Sequence, residues 1–177
     1  MFDRPLYVDR IMAFVDAPFI KILTGVRRCG KSTILKLIMK RLVEERGIAP
    51  EQIVSYRFDS MEYDGYSARE IYALLKGALA PQRRTYLFLD EVQLVPDFER
   101  LVDGLYAKKD ADIYITGSNA KFLSGELATF LTGRYVEIHM QPLSFSEYRS
   151  VFPKQDVRDV FRQYLRFGGF PFAALLP

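Results

Sequence analysis

The sequence lacks the marks of a secreted, membrane-spanning or metal-clustered protein. Its one cysteine, Cys29, excludes an intramolecular disulfide. No apolar run approaches the roughly 18 residues that cross a bilayer. Met1-Phe2-Asp3-Arg4-Pro5 carries neither the apolar core nor the cleavage site of a secretory signal. The single histidine, His139, has no cysteine, histidine or carboxylate cluster around it, and it reads as an ordinary strand residue. No internal repeat, low-complexity tract or long linker interrupts the chain. Basic residues exceed acidic ones by 25 to 22, a net charge of +3. A dedicated nucleic-acid binder usually shows a stronger excess or a concentrated patch. The pairs Arg27-Arg28, Arg83-Arg84 and Lys108-Lys109 are local candidates. The consistent expectation is a cytoplasmic protein with no membrane segment. At 177 residues it is long enough for one domain with a substantial core.

Against these absences stands one dense stretch. Ile20 to Thr24 is an apolar run ending at Gly25. Four residues follow (Val26, Arg27, Arg28, Cys29), and Gly30-Lys31-Ser32-Thr33 opens an amphipathic helix. This is the spacing of the phosphate-binding loop, G-x-x-x-x-G-K-[ST]. Glycines at Gly25 and Gly30 let the backbone curl so that several N–H groups converge on one oxyanion. The positive end of the following helix adds to that field. Lys31 then reaches the β- and γ-phosphates, and the Ser32 hydroxyl is placed to ligate Mg2+. Arg27 and Arg28 occupy variable loop positions, where they either touch phosphate or face water. Cys29 sits by a helix amino end that favours thiolate, but no catalytic role is assigned to it.

Along the chain, apolar strands alternate with helical periodicity. Tyr7 to Val15 has the spacing of a short helix, and Phe19 to Thr24 that of a buried strand. Ile34, Leu35, Ile38, Met39, Leu42 and Val43 recur at helical intervals, and Gly47 is a helix stop. A second strand is expected at Ile53 to Phe58. The helix after it begins near Ser67, with Glu70 completing a capping box and Ile71, Leu74, Leu75 and Leu79 on its apolar side. A third strand covers Thr85 to Leu89, a helix Pro96 to Lys109 and a fourth strand Asp112 to Thr116. A short helix or lid-like segment is expected over Ala120 to Phe130 and a fifth strand over Arg134 to Met140. Further helices are expected at Ser144 to Val151 and Val157 to Phe167. Such alternation implies a parallel sheet covered on both faces. Residues 1–150 are expected to form the core and 151–177 the start of a carboxyl-terminal helical region.

Two more stretches carry chemistry. Leu87-Phe88-Leu89-Asp90-Glu91 ends a buried strand in two carboxylates, placing both at the carboxyl edge of a parallel sheet, where ligands bind. Asp90 is suited to hold Mg2+ and Glu91 to polarise an attacking water; alone, the same pair would read as a helix cap. At the end of the fourth strand, Thr116, Ser118 and Asn119 are candidates to contact the γ-phosphate or orient water, set against plain turn chemistry. Arg134 reads equally as a guanidinium for a γ-phosphate, on its own or a neighbouring chain, and as a salt-bridged strand residue. The backbone around Arg4 to Tyr7 precedes the loop strand and is a plausible wall for the base.

Together the segments GVRRCGKST (25–33), LFLDEVQ (87–93), ITGSNA (115–120), LTGRY (131–135), PLSFSEY (142–148) and YLRFGGFP (164–171) resemble the amino-terminal domain of a large group of prokaryotic AAA-superfamily ATPases. The resemblance spans nearly the whole chain. It implies a three-layer αβα fold of the P-loop NTPase type, strand order 5-1-4-3-2, with carboxyl-terminal helices. It assigns Lys31, Ser32 and Thr33 to nucleotide and Mg2+, Asp90 to the metal and Glu91 to the general base. Ser118 or Asn119 becomes the first sensor and Arg134 an arginine finger or sensor. Members of this group commonly continue well past the GGFP segment, so a shortened chain is expected. The resemblance leaves room for a nucleic-acid or protein partner bound through the region beyond Pro177, and for assembly of several copies.

The function this implies is Mg-dependent ATP binding and hydrolysis, working as a switch or motor on a macromolecule. Two other classes compete: a nucleotide-dependent binding module with little hydrolysis, and a small-molecule kinase. Asp90-Glu91 argues against the kinase, which avoids a well-placed activator of water. No guanine-specifying Asn-Lys-x-Asp motif is present.

Overall fold

Apolar runs buried on both faces set the centre of the molecule. The computed structural model describes residues 2–80, 82–117 and 131–175. In it five strands form one parallel sheet, with β1 (Ile20–Gly25), β3 (Thr85–Asp90) and β4 (Ala111–Thr116) as the buried inner runs and β2 (Ile53–Arg57) and β5 (Tyr135–Met140) as the half-exposed edges. Their order is β2-β3-β4-β1-β5, the expected order read from the other edge. Every pairing among these strands is parallel. β4 therefore separates β1 from β3, and the chain leaves β1 and β3 on either side of a crevice at the carboxyl edge.

Alternating side chains along the strands feed two separate cores. Ile20, Ile22, Leu87, Leu89, Ile113 and Ile115 pack with α3 (Ala68–Ala78) and α4 (Phe98–Tyr106). On the other face, Leu23, Phe88, Tyr114 and Ile138 pack with α1 (Pro5–Met12) and α2 (Lys31–Arg46). The Phe88 and Tyr114 rings stack there at 4.5 Å. A third cluster joins Phe2, Leu143 and Tyr148 to Val160 and Ala174, through α5 (Phe145–Ser150) and α6 (Val157–Phe167).

Local signals set most helix ends. α2 stops at Gly47, whose φ of 65° is the left-handed region that glycine tolerates. The Ser67/Glu70 capping box forms as expected, and a second one, Ser144/Glu147, starts α5. α4 is shorter than expected: Val92–Leu94 forms a 3-10 turn, and Asp97 turns left-handed before the helix begins. Val43 and Leu74 fall on apolar helical intervals yet are 38% and 39% exposed. The expected segment over Ala120 to Phe130 lies outside the described residues. Among the described residues no helix is long and apolar enough to cross a membrane.

The amino half of the sheet holds one departure from a purely apolar interior. Lys21, in the middle of the buried β1 run, is fully buried and ion-paired with Asp112, itself 1% exposed. Asp112 also accepts from the Tyr114 hydroxyl (2.7 Å) and the Asp16 N–H (3.1 Å). A buried carboxylate is tolerated only when its lone pairs are filled in this way. Burial pulls the Lys21 ammonium below its ordinary range, and Asp112 opposes that shift.

Candidate functional site

The loop after β1 requires glycine at both ends. Gly25 has φ 145°, and a Cβ on it would run into the Met140 carbonyl oxygen on β5. Gly30 has φ 105°, again outside the range of most side chains. Between them Val26, Arg27 and Arg28 are exposed, and Cys29 turns inward to full burial. Its N–H donates to the Val26 carbonyl at 3.3 Å, closing the loop. Burial pushes the Cys29 thiol above its ordinary value, although Lys31 and Arg4 pull the other way. At this helix start desolvation outweighs the neighbouring positive charge.

α2 opens at Lys31, immediately behind the loop. The Lys31 side chain is 3% exposed. Its ammonium donates to the Gly25 carbonyl (3.2 Å) and the Val26 carbonyl (3.3 Å), and lies 3.9 Å from a Glu91 carboxylate oxygen. Ser32 and Thr33 sit half-buried in the first turn of the same helix. The fold therefore carries the loop lysine of β1–α2 and the carboxylate after β3 to one point.

Asp90 and Glu91 are held by β4. The Thr116 hydroxyl, fully buried, donates to an Asp90 carboxylate oxygen (2.5 Å) and accepts from the Glu91 N–H (3.0 Å). Glu91 adopts φ 55°, a left-handed turn that swings its side chain out of line with the strand. Gln93 donates to its second oxygen. From the neighbouring strand end, Arg57 comes within 3.8 Å of Asp90 and is itself held by Asp59 at 2.8 Å. The Gly117 N–H returns to the Leu23 carbonyl, tying the end of β4 to β1.

Gly25, Lys31, Asp90 and Glu91 thus converge as expected, and Thr116 joins them. Ser118 and Asn119 lie outside the described residues. Arg134 does not converge. Tyr135 is in register with Ile20, and Met140 with Gly25. Arg134 therefore stands at the amino edge of the sheet, six residues or about 20 Å from the loop. Its guanidinium pairs with Asp103 on α4 and lies over the Tyr106 ring. That placement sets the guanidinium at the opposite edge of the sheet from the loop of its own chain.

Arg4 is spent within the chain: its side chain is 2% exposed and bound to Glu147, the Cys29 carbonyl and the backbone of Gln141. Tyr7 lies under its guanidinium at 4.4 Å, and the Tyr7 hydroxyl accepts from the Gln141 N–H. Arg57 and Gln93 were not anticipated, since a lone arginine or glutamine at a strand end carries no spacing signal. The Ser144–Glu147 capping spacing was readable, but its link to Arg4 spans 143 residues.

Comparison with known proteins places the fold and the family. The profile of the family described as AAA domain matches residues 17–149. An uncharacterized protein of Haemophilus influenzae is 39% identical across 97% of this chain, which spans 44% of that protein. One of Methanocaldococcus jannaschii is 30% identical across 89% of the chain and 36% of its own length. The chain thus spans less than half the length of these relatives. Among solved structures, a Walker-type ATPase of Pyrococcus abyssi superposes with a TM-score of 0.67 at 16% identity, covering 99% of this chain and 66% of that one. The Aeropyrum pernix ORC1 protein, solved in complex with DNA, gives 0.59 at 16% identity, covering 86% and 49%. Saccharomyces cerevisiae Hsp104, solved with casein, gives 0.67 at 14% identity, covering 97% and 35%. At such identities the likeness is one of fold: a three-layer α/β P-loop NTPase. The match over residues 17–149 fixes the family, and the chain belongs to the AAA-domain family.

Proposed function

We propose that this domain binds Mg-ATP and hydrolyses it. The observation that carries the reading is the meeting of Lys31 and Glu91 at 3.9 Å, at the mouth of a glycine-bounded loop and beside Asp90. The loop offers backbone N–H groups and a helix amino end to the phosphates. The Lys31 ammonium, now on two loop carbonyls, is the mobile charge that phosphate oxygens would attract.

The donor set fits magnesium. Ser32 at the start of α2 and Asp90 at the end of β3 would hold the ion, with phosphate and water oxygens completing its shell. Mg2+ is ordinarily bound by one or two protein oxygens in this way. When bound, the ion would neutralise charge developing on the phosphates.

Glu91 is the residue for water. Its turned backbone and the Gln93 contact hold the carboxylate at the crevice, where it accepts a proton as water attacks the γ-phosphate. Lys31 and the loop N–H groups stabilise the charge that grows on the phosphoryl oxygens. Val26, Arg27, Arg28, Cys29, Gly30 and Thr33 contribute chiefly through backbone position. The domain serves as a switch or motor for a macromolecular partner, reached through the part of its longer relatives that this chain does not span. Ser118 and Asn119 belong to the same proposal as sensor residues.

The test is a pair of substitutions. Glu91→Gln should bind Mg-ATP like the parent and release phosphate at least about a hundredfold more slowly, as loss of a general base does. Lys31→Ala should lose nucleotide binding. Parent-like hydrolysis by Glu91→Gln would overturn the general-base assignment, and unchanged binding by Lys31→Ala would overturn the loop reading.

A further inference from the structure

A buried arginine joins the back of the phosphate loop to the carboxyl-terminal helices. Arg4 stands just before α1 with φ 42°, and its guanidinium uses every edge. Nε and Nη2 meet the two Glu147 oxygens at 2.9 and 3.3 Å. Nη1 donates to the Cys29 carbonyl at 2.9 Å, and Nη2 to the Gln141 carbonyl at 2.9 Å. Glu147 is tied in turn to the Ser144 N–H and hydroxyl at the start of α5. Burial works against the Glu147 charge, but Arg4 and Ser144 outweigh it and hold the carboxyl below its ordinary range.

The contact to Cys29 fixes more than one atom. A trans peptide is planar, with its C=O and N–H on opposite sides. With the Cys29 carbonyl held outward by Arg4, the Gly30 N–H of the same peptide faces the other way. Gly30 also presents its Cβ direction to Arg4 Nη1 at 4.0 Å and to Pro171 at 3.8 Å. Pro171 follows Gly168 and Gly169, and the Gly169 carbonyl accepts from the Leu143 N–H. A Cβ on Gly169 would overlap the Leu143 carbonyl oxygen. The loop is thus backed by one side chain from each end of the chain.

From this geometry we infer that Arg4, seated by Glu147, is a positioning residue for nucleotide binding: it sets the Cys29–Gly30 peptide with its N–H toward the phosphate. The inference rests on the nucleotide reading proposed above. Arg4 touches no substrate. It acts through the peptide plane, and it couples the seating of α5 to phosphate affinity.

The experiment compares Arg4→Met and Arg4→Lys with the parent and with Tyr164→Phe. Tyr164 donates to the Leu143 carbonyl at 2.9 Å and docks α6 without touching the loop. Binding of a non-hydrolysable Mg-ATP analogue is titrated, thermal midpoints are recorded, and the Gly30 amide resonance is followed in the free proteins. Both Arg4 variants should weaken binding about tenfold or more, the loss of one charge-assisted hydrogen bond, with saturated turnover little changed. Both should move the Gly30 resonance. Lysine is no rescue, because it cannot serve Glu147 and the Cys29 carbonyl in one plane. Tyr164→Phe should lower the midpoint and leave affinity within twofold. As a second route, Glu147→Gln should weaken binding severalfold while keeping the fold. If the parent binds and the Arg4 variants bind equally well, the positioning role is wrong and the nucleotide reading stands. Affinity that falls equally in Tyr164→Phe reduces Arg4 to a structural residue. A parent that binds no nucleotide overturns both readings.

Discussion

The Thr116 hydroxyl is hydrogen-bonded to the Asp90 carboxylate across the β3–β4 boundary, and the same oxygen receives the Glu91 N–H. One buried side chain on a neighbouring strand therefore holds both carboxylates of the site.

Thr116→Val tests this link with almost no change of volume. The valine keeps the β-branched shape that suits a strand but strands the Glu91 N–H and frees Asp90 to rotate. A hydrogen bond to a charged group is worth about 1.5–3 kcal/mol, so turnover should fall roughly ten- to a hundredfold. Affinity for ATP measured without magnesium should hardly move, because the loop is untouched. Thr116→Ser should recover most of the rate. Steady-state phosphate release and metal-free binding titrations separate the two effects, and a Val variant with parent-like turnover would show the link to be dispensable.

The inner strands β1, β3 and β4 were legible because each is a short, largely apolar run, the pattern that burial on both faces imposes; their order came with the family resemblance, not from the runs themselves. The loop was legible because its function demands fixed types at fixed spacing, and Gly25 and Gly30 occupy backbone conformations that other residues resist. Thr116 was visible only as one of three polar residues at a strand end, since nothing local marks which of them faces Asp90. Arg4 and Glu147 lie 143 residues apart, and that pairing exists only in three dimensions. Arg134 fell in a short motif beside the others, but motif proximity does not say which edge of the sheet a residue occupies. Register does.

The buried charge cluster at the amino half of the sheet makes stability sensitive to alkali. Burial, with its hydrogen bond to Asp16, pushes the Tyr86 phenol up to about 12. Burial and Asp112 raise Tyr114 as well. A phenol raised on folding stabilises the native chain below its ordinary value near 10, and that share is lost as pH climbs through the raised value. Lys21, lowered on folding, shifts stability the opposite way but is one group against two. Urea midpoints should therefore drop between about pH 10 and 12, and Tyr86→Phe should flatten that drop. Asp112→Asn is a harsher change: it leaves the Lys21 ammonium buried without its counter-charge, at a cost of about 3–5 kcal/mol. The far-ultraviolet circular dichroism of that variant should show a large fall in thermal midpoint at neutral pH.

Arg134 is exposed on the amino edge, paired with Asp103, while the site that would need an arginine lies at the carboxyl edge of the same sheet. If it serves a phosphate from that edge, the phosphate belongs to another copy of the chain. Its pair with Asp103 is half solvent-exposed, and such pairs are worth under about 1 kcal/mol, so the side chain is free to be drawn away at small cost. If it acts there, parent turnover per chain should rise with protein concentration. Arg134→Ala should remove that rise, by a factor of roughly a thousand at saturation if the guanidinium works as arginine fingers do. Mixing makes the result decisive. Chains carrying Arg134→Ala keep an intact Glu91, and chains carrying Glu91→Gln keep an intact Arg134. Mixed, the second should serve the first and restore activity that neither has alone. Phosphate release measured across a dilution series of each variant and of the mixture reads this directly. An Arg134→Ala chain that matches the parent at every concentration would leave Asp103 as the arginine's whole task.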